Sequence, residues 1–482
     1  MPHYHRVTRK GRLLVRQGGR RRTTFNSIQF TSSIGSRSFA SLASFASHVQ
    51  VPFFQVDSFS PAPLGGNPAA VLLLPREADL PLADAVLKRI AAENNLSETA
   101  FVRPLEEERG EPPDLEGRQG PDAAFALRWF TPTKEVALCG HGTLAAAAAI
   151  MADDAYANAH AHAHPAAGGS SGSPRSIAFH TLSGVLTASR VDDDGDVSNN
   201  GGNDDTLFCP RISLDFPANP PRLLPAPSDD DDDDDDAAIR ALASVVLAEC
   251  GCALPVVALA HCATTRKLLV HLEAPEAAAA YDASSSSPAA SSSSLSSAPP
   301  PSANSSKLAA RAALEAMAVP SPARLLAAHD GSLVTGVSVV FAADNDNDND
   351  NDNDNGNVVD GSEGSDGSPA AYDFESRYFA PWNGITEDPV NGSSHTLLAP
   401  YWAQHVASSS PSSPSRSSAS TYSFTARQAS PRAGDLDLCF DPAASRVAIA
   451  GPAAVAIRGT MQLPLLPAEE QEQSGEKKAP PK

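Results

Sequence analysis

Two stretches of this chain share one layout: "FTPTKEVALCGHGTLAAAAAI" from Phe130 and "FAPWNGITEDPVNGSSHTLLAPYWA" from Phe379. Each runs Phe-x-Pro, a loop, a turn of small residues and then an apolar helix. The spacing is 12 residues from Phe130 to Gly142 and 13 from Phe379 to Gly392. Such a repeat constrains the fold more than any single element. Two like halves can face each other across a cleft, and each then offers it a helix N-terminus. Exposed N–H groups and the positive end of the helix dipole suit a carboxylate or phosphate there.

Around the repeat the pattern is mixed α/β. "VPFFQVDSF" and "PAAVLLL" read as strands joined by the Gly-Pro turn "SPAPLGGN". Leu82, Val86, Leu87, Ile90 and Ala91 fall on one helical stripe, with Asp84 early and Lys88 and Arg89 late, as the dipole prefers. "SETAFV", "FALRWF", "SIAFHTL", "GVLTASRV", "KLLVHLE", "VTGVSVVFA", "DFESRYFA" and "SRVAIAGPAAVAIRG" read as strands. "AIRALASVVLA" and "KLAARAALEAMA" read as interleaved helices.

At 482 residues the chain is long enough for three domains, but much of it is short-alphabet sequence. The runs near 153–175, 192–206, 226–237, 281–306, 343–369 and 405–420 cannot bury enough apolar surface to offset ordering entropy, and are expected to be disordered loops. About 300 residues then remain, enough for two compact domains. The net charge of −21 comes mostly from such loops, from eight consecutive Asp (229–236) and six more between Asp344 and Asp354. The acidity is therefore not a binding face, and no concentrated basic surface in the body points to nucleic acid.

Residues 1–56 hold no Asp or Glu, are rich in Arg, and are crowded with Ser and Thr over 31–47. That composition is expected of an organelle transit peptide, so the expected location is cytoplasmic, or mitochondrial if the segment is one. No apolar run approaches the ~20 residues of a membrane-spanning helix. The six cysteines (139, 209, 250, 252, 262 and 439) show no paired spacing, and reduced thiols are expected. Cys250 and Cys252 lack a second pair or a His partner at zinc spacing. His160, His162 and His164 sit in low complexity, so no metal site is expected.

"DSFSPAPLGGNPAAVLLLP", "IAAENNLSETAFV", "LRWFTPTKEVALCGHGTLAAA" and "SRYFAPWNGITEDPVNGSSHTLLAPYWAQ" resemble, in the same order, blocks of the PhzF-like (phenazine biosynthesis-like domain) isomerase family. "TLSGVLTA" and "VAIAGPAAVAIRGT" agree more weakly. The resemblance covers most of residues 51–462 outside the low-complexity insertions. It implies an α/β (α+β) fold like diaminopimelate epimerase, with two pseudo-symmetric domains, each a β-sheet wrapped around a central helix, and the active site between them. The expected division is 51–182 and 183–450, with the strand at 453–462 returning to the first domain and a disordered tail at 468–482. The family is commonly homodimeric.

The resemblance also implies a reaction without cofactor, in which a proton moves between carbons of a small carboxylate-bearing molecule. A carbon acid is weak, so the site needs one well-placed base that can return the proton. Glu98 matches the family's base, and desolvation in an apolar cleft is expected to raise its pKa. His141 matches the family histidine, which orients the substrate or shares its proton. Gly140 and Gly142 would let a ligand approach the backbone closely. Asp388 matches the family aspartate, holding a substrate amino or hydroxyl group. Gly392 and Ser393 would hold the carboxylate, and Asn67 would shape the cleft.

Cys139 stands where racemases of this fold carry the first of two thiols. Aligned on Gly142 and Gly392, the second place falls on Pro389, which carries no acid. Single-base isomerisation is therefore expected rather than two-thiol inversion, and Cys139 reads as a small buried residue. Asn391 stands where a Thr is usual, and "RQASPRAGDL" keeps only part of the family's late Gly/Arg loop. The competing readings are an amino-acid racemase or epimerase of the same fold, and a small-ligand-binding protein without turnover.

Overall fold

Residue 95 marks where a helix stops and the first candidate catalytic residue begins. Helix α1 (Asp84–Asn94) buries Val86, Leu87, Ile90 and Ala91, and Asn95 closes it in the left-handed conformation, its N–H donating to the carbonyl of Ala91. Three residues later Glu98 opens a strand. The structure, a computed structural model, describes residues 48–105, 121–160, 174–191, 208–226, 234–273, 311–342, 372–409 and 421–464. All lie within one unit, His48–Lys482. The basic N-terminal stretch, the tail and most of the low-complexity runs lie outside the described residues.

The first half comprises β1 (His48–Ser58), β2 (Asn67–Leu73), α1, β3 (Glu98–Pro104), β4 (Ala123–Phe130), β5 (Glu135–Val136), α2 (Gly140–Met151), α3 (Asp154–His160), β6 (Ser176–Thr181), β7 (Gly184–Arg190) and β8 (Arg211–Pro217). The second comprises β9 (Arg222–Leu223), α4 (Asp234–Glu249), β10 (Val256–Cys262), β11 (Lys267–Leu272), α5 (Pro322–Ala328), β12 (Gly336–Ala342), β13 (Phe374–Ala380), β14 (Ile385–Glu387), α6 (Gly392–Ser409), β15 (Tyr422–Gln428) and β16 (Gly434–Asp441). The long β17 (Arg446–Pro464) serves both.

The pairing scheme of one half repeats in the other. In the first, β1–β2 is antiparallel, β2–β3 parallel, β3–β4 antiparallel, β4–β6 parallel and β6–β7 antiparallel. In the second, β10–β11, β11–β12, β12–β13, β13–β15 and β15–β16 follow the same alternation. β5 and β14 hang in matching places on β4 and β13. The halves meet where β8 pairs antiparallel with β17 over Arg446–Pro452, and β17 continues along β1 from Ala453 to Pro464. Through those two contacts the first half's ladders close on themselves in a ring of eight strands.

Helix α2 threads that ring, and its composition explains how. All twelve of its residues are buried, as expected of a helix apolar on every side. Its run of alanines keeps it thin enough to sit against strands all round. Strand β2 is buried on both faces: Val71 and Leu73 pack on the α2 side, while Leu72 and Leu74, just beyond its end, pack against α1. In the second half α6 fills the equivalent place, burying Leu397, Leu398, Tyr401 and Trp402.

Three expectations fail at the edges of the low-complexity runs. The last three residues of the poly-Asp run are not loop: Asp234, Asp235 and Asp236 form the first turn of α4, where negative charge complements the dipole. Asp236 is buried, and Arg222 holds it through contacts of 2.5 and 3.1 Å. Likewise α6 runs to Ser409, five residues into the stretch expected to be disordered from 405. Helix α3 likewise occupies part of the run near 153–175.

Candidate active site

Matching the two pairing schemes residue by residue defines the site. Glu98 pairs with Ala69, and Gly336 with Lys267. Thr99 pairs with Phe130, and Val337 with Phe379. Glu98 thus corresponds to Gly336, Ala69 to Lys267, and Trp129 to Tyr378. A Cβ on Gly336 would collide with the Tyr378 hydroxyl, so the second half has no room for a side chain where the first carries its carboxylate.

The two helix N-termini face each other. A Cβ on Gly140 would stand 3.7 Å from the Cα of Gly392, and one on Gly392 would stand 3.9 Å from the Cα of Gly140. Cys139 caps α2 through its sulfur, which accepts from the Gly142 N–H at 3.3 Å. Asn391 does the same for α6, its Oδ1 accepting from the Ser394 N–H at 2.7 Å. Cys139 therefore corresponds to Asn391, not to Pro389, because the turns match at Gly140 and Gly392 rather than at Gly142. Asn391, like Pro389, offers no acid. His141 corresponds to Ser393.

Glu98 is buried, and its Oε2 lies 3.3 Å from Nε2 of His141. That contact is outside hydrogen-bonding alignment, so the oxygen keeps its acceptor capacity. His141 also has the Cys139 sulfur 3.6 Å from Nδ1 and the Ser97 hydroxyl 3.3 Å from Nε2, while the Ser58 hydroxyl donates to its carbonyl. Burial pushes the Glu98 carboxyl up, but the His141 ring beside it, with Ser97, outweighs that and holds the group below its ordinary value. This reverses the expected raised pKa. Burial opposes the charge on His141, yet the Cys139 sulfur and Glu98 hold it well above its usual range. Both directions favour the ionised form of the pair.

The raised carboxyl is Asp388, at about 6, because burial outweighs the charge of His141 and the hydrogen bond from Asn391. Its oxygens accept from Asn67 Nδ2 at 2.6 Å and Asn391 Nδ2 at 2.7 Å. Asn67 also donates to the Val390 carbonyl at 2.9 Å, tying the first half to the second turn. Gln428 closes the turn, donating to the Asp388 carbonyl and accepting from the Asn391 N–H. Arg432, in the late loop, donates to the carbonyls of Gly65 and Gly66 and to Asp57, fixing the "LGG" turn.

A cavity of about 260 Å³ lies between the halves. Glu98, Asp388 and Ser393 line it, with Asn391, Lys267, Tyr378, Thr131, Thr265 and Thr335. His141, Gly140, Gly142, Gly392 and Asn67 stand behind this lining. Gly142 is required by its own half, since a Cβ there would meet Trp129 Cδ1 at 2.8 Å and Cys139 Sγ at 2.9 Å. Reading by motif missed Lys267, which opens an apolar strand and looks like core. Matching the two halves is the signal that exposes it.

Glu98, Cys139 and His141 bring three potential ligand atoms within 4.8 Å of one another. A metal there would need the thiolate, and burial pushes the Cys139 thiol up, against that form. Among the described residues no helix is long and apolar enough to cross a membrane.

The family model described as phenazine biosynthesis-like protein (PhzC-PhzF) matches residues 56–280 and 237–459. The mouse protein named phenazine biosynthesis-like domain-containing protein 1 is 32% identical over 413 residues, covering 86% of this chain and 99% of the relative. A Pseudomonas aeruginosa protein named uncharacterized isomerase PA3578 is 31% identical over 415 residues, covering 86% and 100%. The solved structure of an Enterococcus faecalis phenazine biosynthesis PhzF family protein matches with a TM-score of 0.50 at 24% identity, over 86% of this chain and all of that one. That likeness shows the fold, the two-half diaminopimelate epimerase-like arrangement described above. With the family model matching most of the sequence and relatives aligned over nearly their whole lengths, the chain belongs to the phenazine biosynthesis-like (PhzF) family.

Proposed function

We propose that the protein is an isomerase in which Glu98 removes a proton from one carbon of a small carboxylate-bearing molecule and returns it to another. The observation that carries this reading is the Glu98 carboxylate itself, buried, lining the cavity and holding an oxygen with no hydrogen-bond partner. An unsatisfied buried acceptor is costly, and aimed at a substrate C–H it is a base held ready. The His141 imidazolium keeps it ionised until the proton is taken, and the protonated Glu98 then returns it. The electrons left on carbon delocalise into the substrate's unsaturated system, and the proton goes back at its far end, so nothing is oxidised and no second reactant is needed.

The second half supports the single-base reading. Inversion needs a second acid on the opposite face, and its places are filled by Asn391 and by Gly336 under Tyr378. Asp388, with Asn67 and Asn391 on its oxygens, is positioned to hold a substrate amino or hydroxyl group. The α6 N-terminus with Ser393 is positioned to hold the carboxylate.

The test is deuterium exchange. A substrate found by screening metabolite extracts against the protein gains deuterium from heavy water, and Glu98→Gln abolishes that gain while ligand binding persists. Normal exchange by the variant overturns the assignment. Chiral inversion of an amino acid by the wild type would move the protein to the racemases instead.

A further inference from the structure

Lys267 is a buried cation that nothing in the sequence marks as functional. The residue is only 8% exposed, at the start of β11, at the position where the first half carries Ala69. It donates one hydrogen bond, 2.6 Å long, to the Ser393 hydroxyl, and lies 5.7 Å from the centre of the Tyr378 ring. An ammonium has three donors, and no carboxylate lies within ion-pair distance among the described contacts. Lys267 nevertheless lines the cavity, beside a Thr265 hydroxyl that is buried without a partner. Burying a charge without an ion-pair partner is expensive, and burial pushes its pKa down to about 8. A fold that pays this cost at a cavity wall is built for an anion.

We infer that Lys267 is the counter-ion of the substrate's carboxylate, gripping it together with Ser393 at the second helix N-terminus. This rests on the function proposed above and adds the residue that selects for charge. The ammonium and Glu98 line the same cavity from opposite halves, so one end of the molecule is neutralised while the other faces the base. The Glu98–His141 pair is neutral as a unit, and Asp388, the other carboxyl of the wall, acts on Lys267 only from beyond ion-pair distance, so the ammonium keeps donors and charge for a bound anion. Lys134, the other lysine of the cavity wall, is exposed at its mouth and screened by solvent. The site therefore selects an anion over an uncharged molecule of the same shape.

The probe is benzoate against benzamide, titrated calorimetrically into the full chain. The wild type binds benzoate at least tenfold more tightly than benzamide. Lys267→Met loses that preference. Lys134→Met keeps the preference within about twofold. A preference that survives in Lys267→Met, or is absent from the wild type, overturns the inference. If Lys267→Met does not fold, the wild type decides by mass spectrometry. Benzoate, but not benzamide, then shields Lys267 from acetic anhydride, and equal labelling in both overturns the idea. Loss of preference with exchange intact in Glu98→Gln sinks the base and keeps the anion site; the converse pattern does the reverse.

Discussion

Arg128 and Arg377 occupy the same place in the two halves. Each sits one residue before the aromatic that flanks the cleft, and each grips a glutamate on the short strand beside it. Arg128 holds Glu135 at 2.7 and 2.8 Å, and Arg377 holds Glu387 at 2.7 Å through both nitrogens. Each guanidinium also covers the phenylalanine two residues on, at 5.0 and 5.2 Å. Burial separates them. The first arginine is 37% exposed and the second 3%, because Arg377 is roofed by the chain at Leu314 and Met317, whose carbonyls it also binds. The cleft shows the opposite bias. There the first half places its opposite charges in contact, Glu98 with His141, whereas the second keeps its ammonium and carboxyl, Lys267 and Asp388, beyond ion-pair distance. The scaffold repeats, while charge and burial are assigned independently in each copy.

The largest effect expected from this asymmetry is on chemistry. Glu98→Gln should lower proton exchange by about 10³- to 10⁴-fold, the upper range for a positioned general base, measured as deuterium uptake per enzyme. No substitution at the matching places of the second half, Gly336 and Asn391, should match it, because neither carries an acid. A comparable loss of chemistry, with binding retained, in Tyr378→Phe would break the single-base picture.

Next comes the ion pair itself. Removing Arg377 strands Glu387, only 8% exposed, so Arg377→Ala should cost about 3–5 kcal/mol in urea unfolding. Arg128→Ala should cost about 1 kcal/mol or less, since water takes over at Glu135. Equal costs would mean that burial does not distinguish the halves.

A third, smaller effect is pH-dependent. Asp388 titrates at about 6 in the fold against an ordinary 3.8. A raised carboxyl binds its proton more tightly when folded, so its stabilising contribution is complete below the ordinary value and is lost as pH rises through about 6. The shift corresponds to roughly 3 kcal/mol at most. Asp388→Asn should therefore gain stability relative to the wild type between pH 4 and pH 8, by about 1–3 kcal/mol. A stability difference that stays flat across that window would place the carboxyl in an ordinary environment.

Much of this fold is legible without coordinates, for identifiable reasons. The "LAAAAAI" run reads as an apolar core helix and "PAAVLLL" as a strand. The repeat of Phe-x-Pro and a small-residue turn exposes the two halves. Strands β8, β15 and β16 escape because they border low complexity or carry Asp, Ser and Arg on alternate positions, as in "RISLDFP" and "GDLDLCF". Glu98 emerges only through its block, since a lone glutamate after a helix end reads as solvated. Its depressed pKa does not emerge at all, because it depends on His141, 43 positions away in the chain. Lys267 is missed for a similar reason: its meaning lies in a cross-strand position that only the register reveals.

The smallest effect separates two glycines with opposite reasons for being glycine. A Cβ on Gly142 lies within 2.9 Å of both Trp129 and the Cys139 sulfur, and Trp129 is fully buried, so neither neighbour can step aside cheaply. Gly142→Ala should therefore cost about 1–3 kcal/mol through overpacking, visible as a lower thermal midpoint. A Cβ on Gly392 meets nothing closer than 3.7 Å, the ring of Phe59. In the first turn of a helix, alanine should be neutral or slightly stabilising at that position, by up to about 1 kcal/mol. Gly392 is thus free of a packing demand and open to a functional one, whereas Gly142 is fixed by its own half. If Gly392→Ala melts lower than Gly142→Ala, the turns are not arranged as the opposed helix ends require, and the correspondence of Cys139 with Asn391 falls with them.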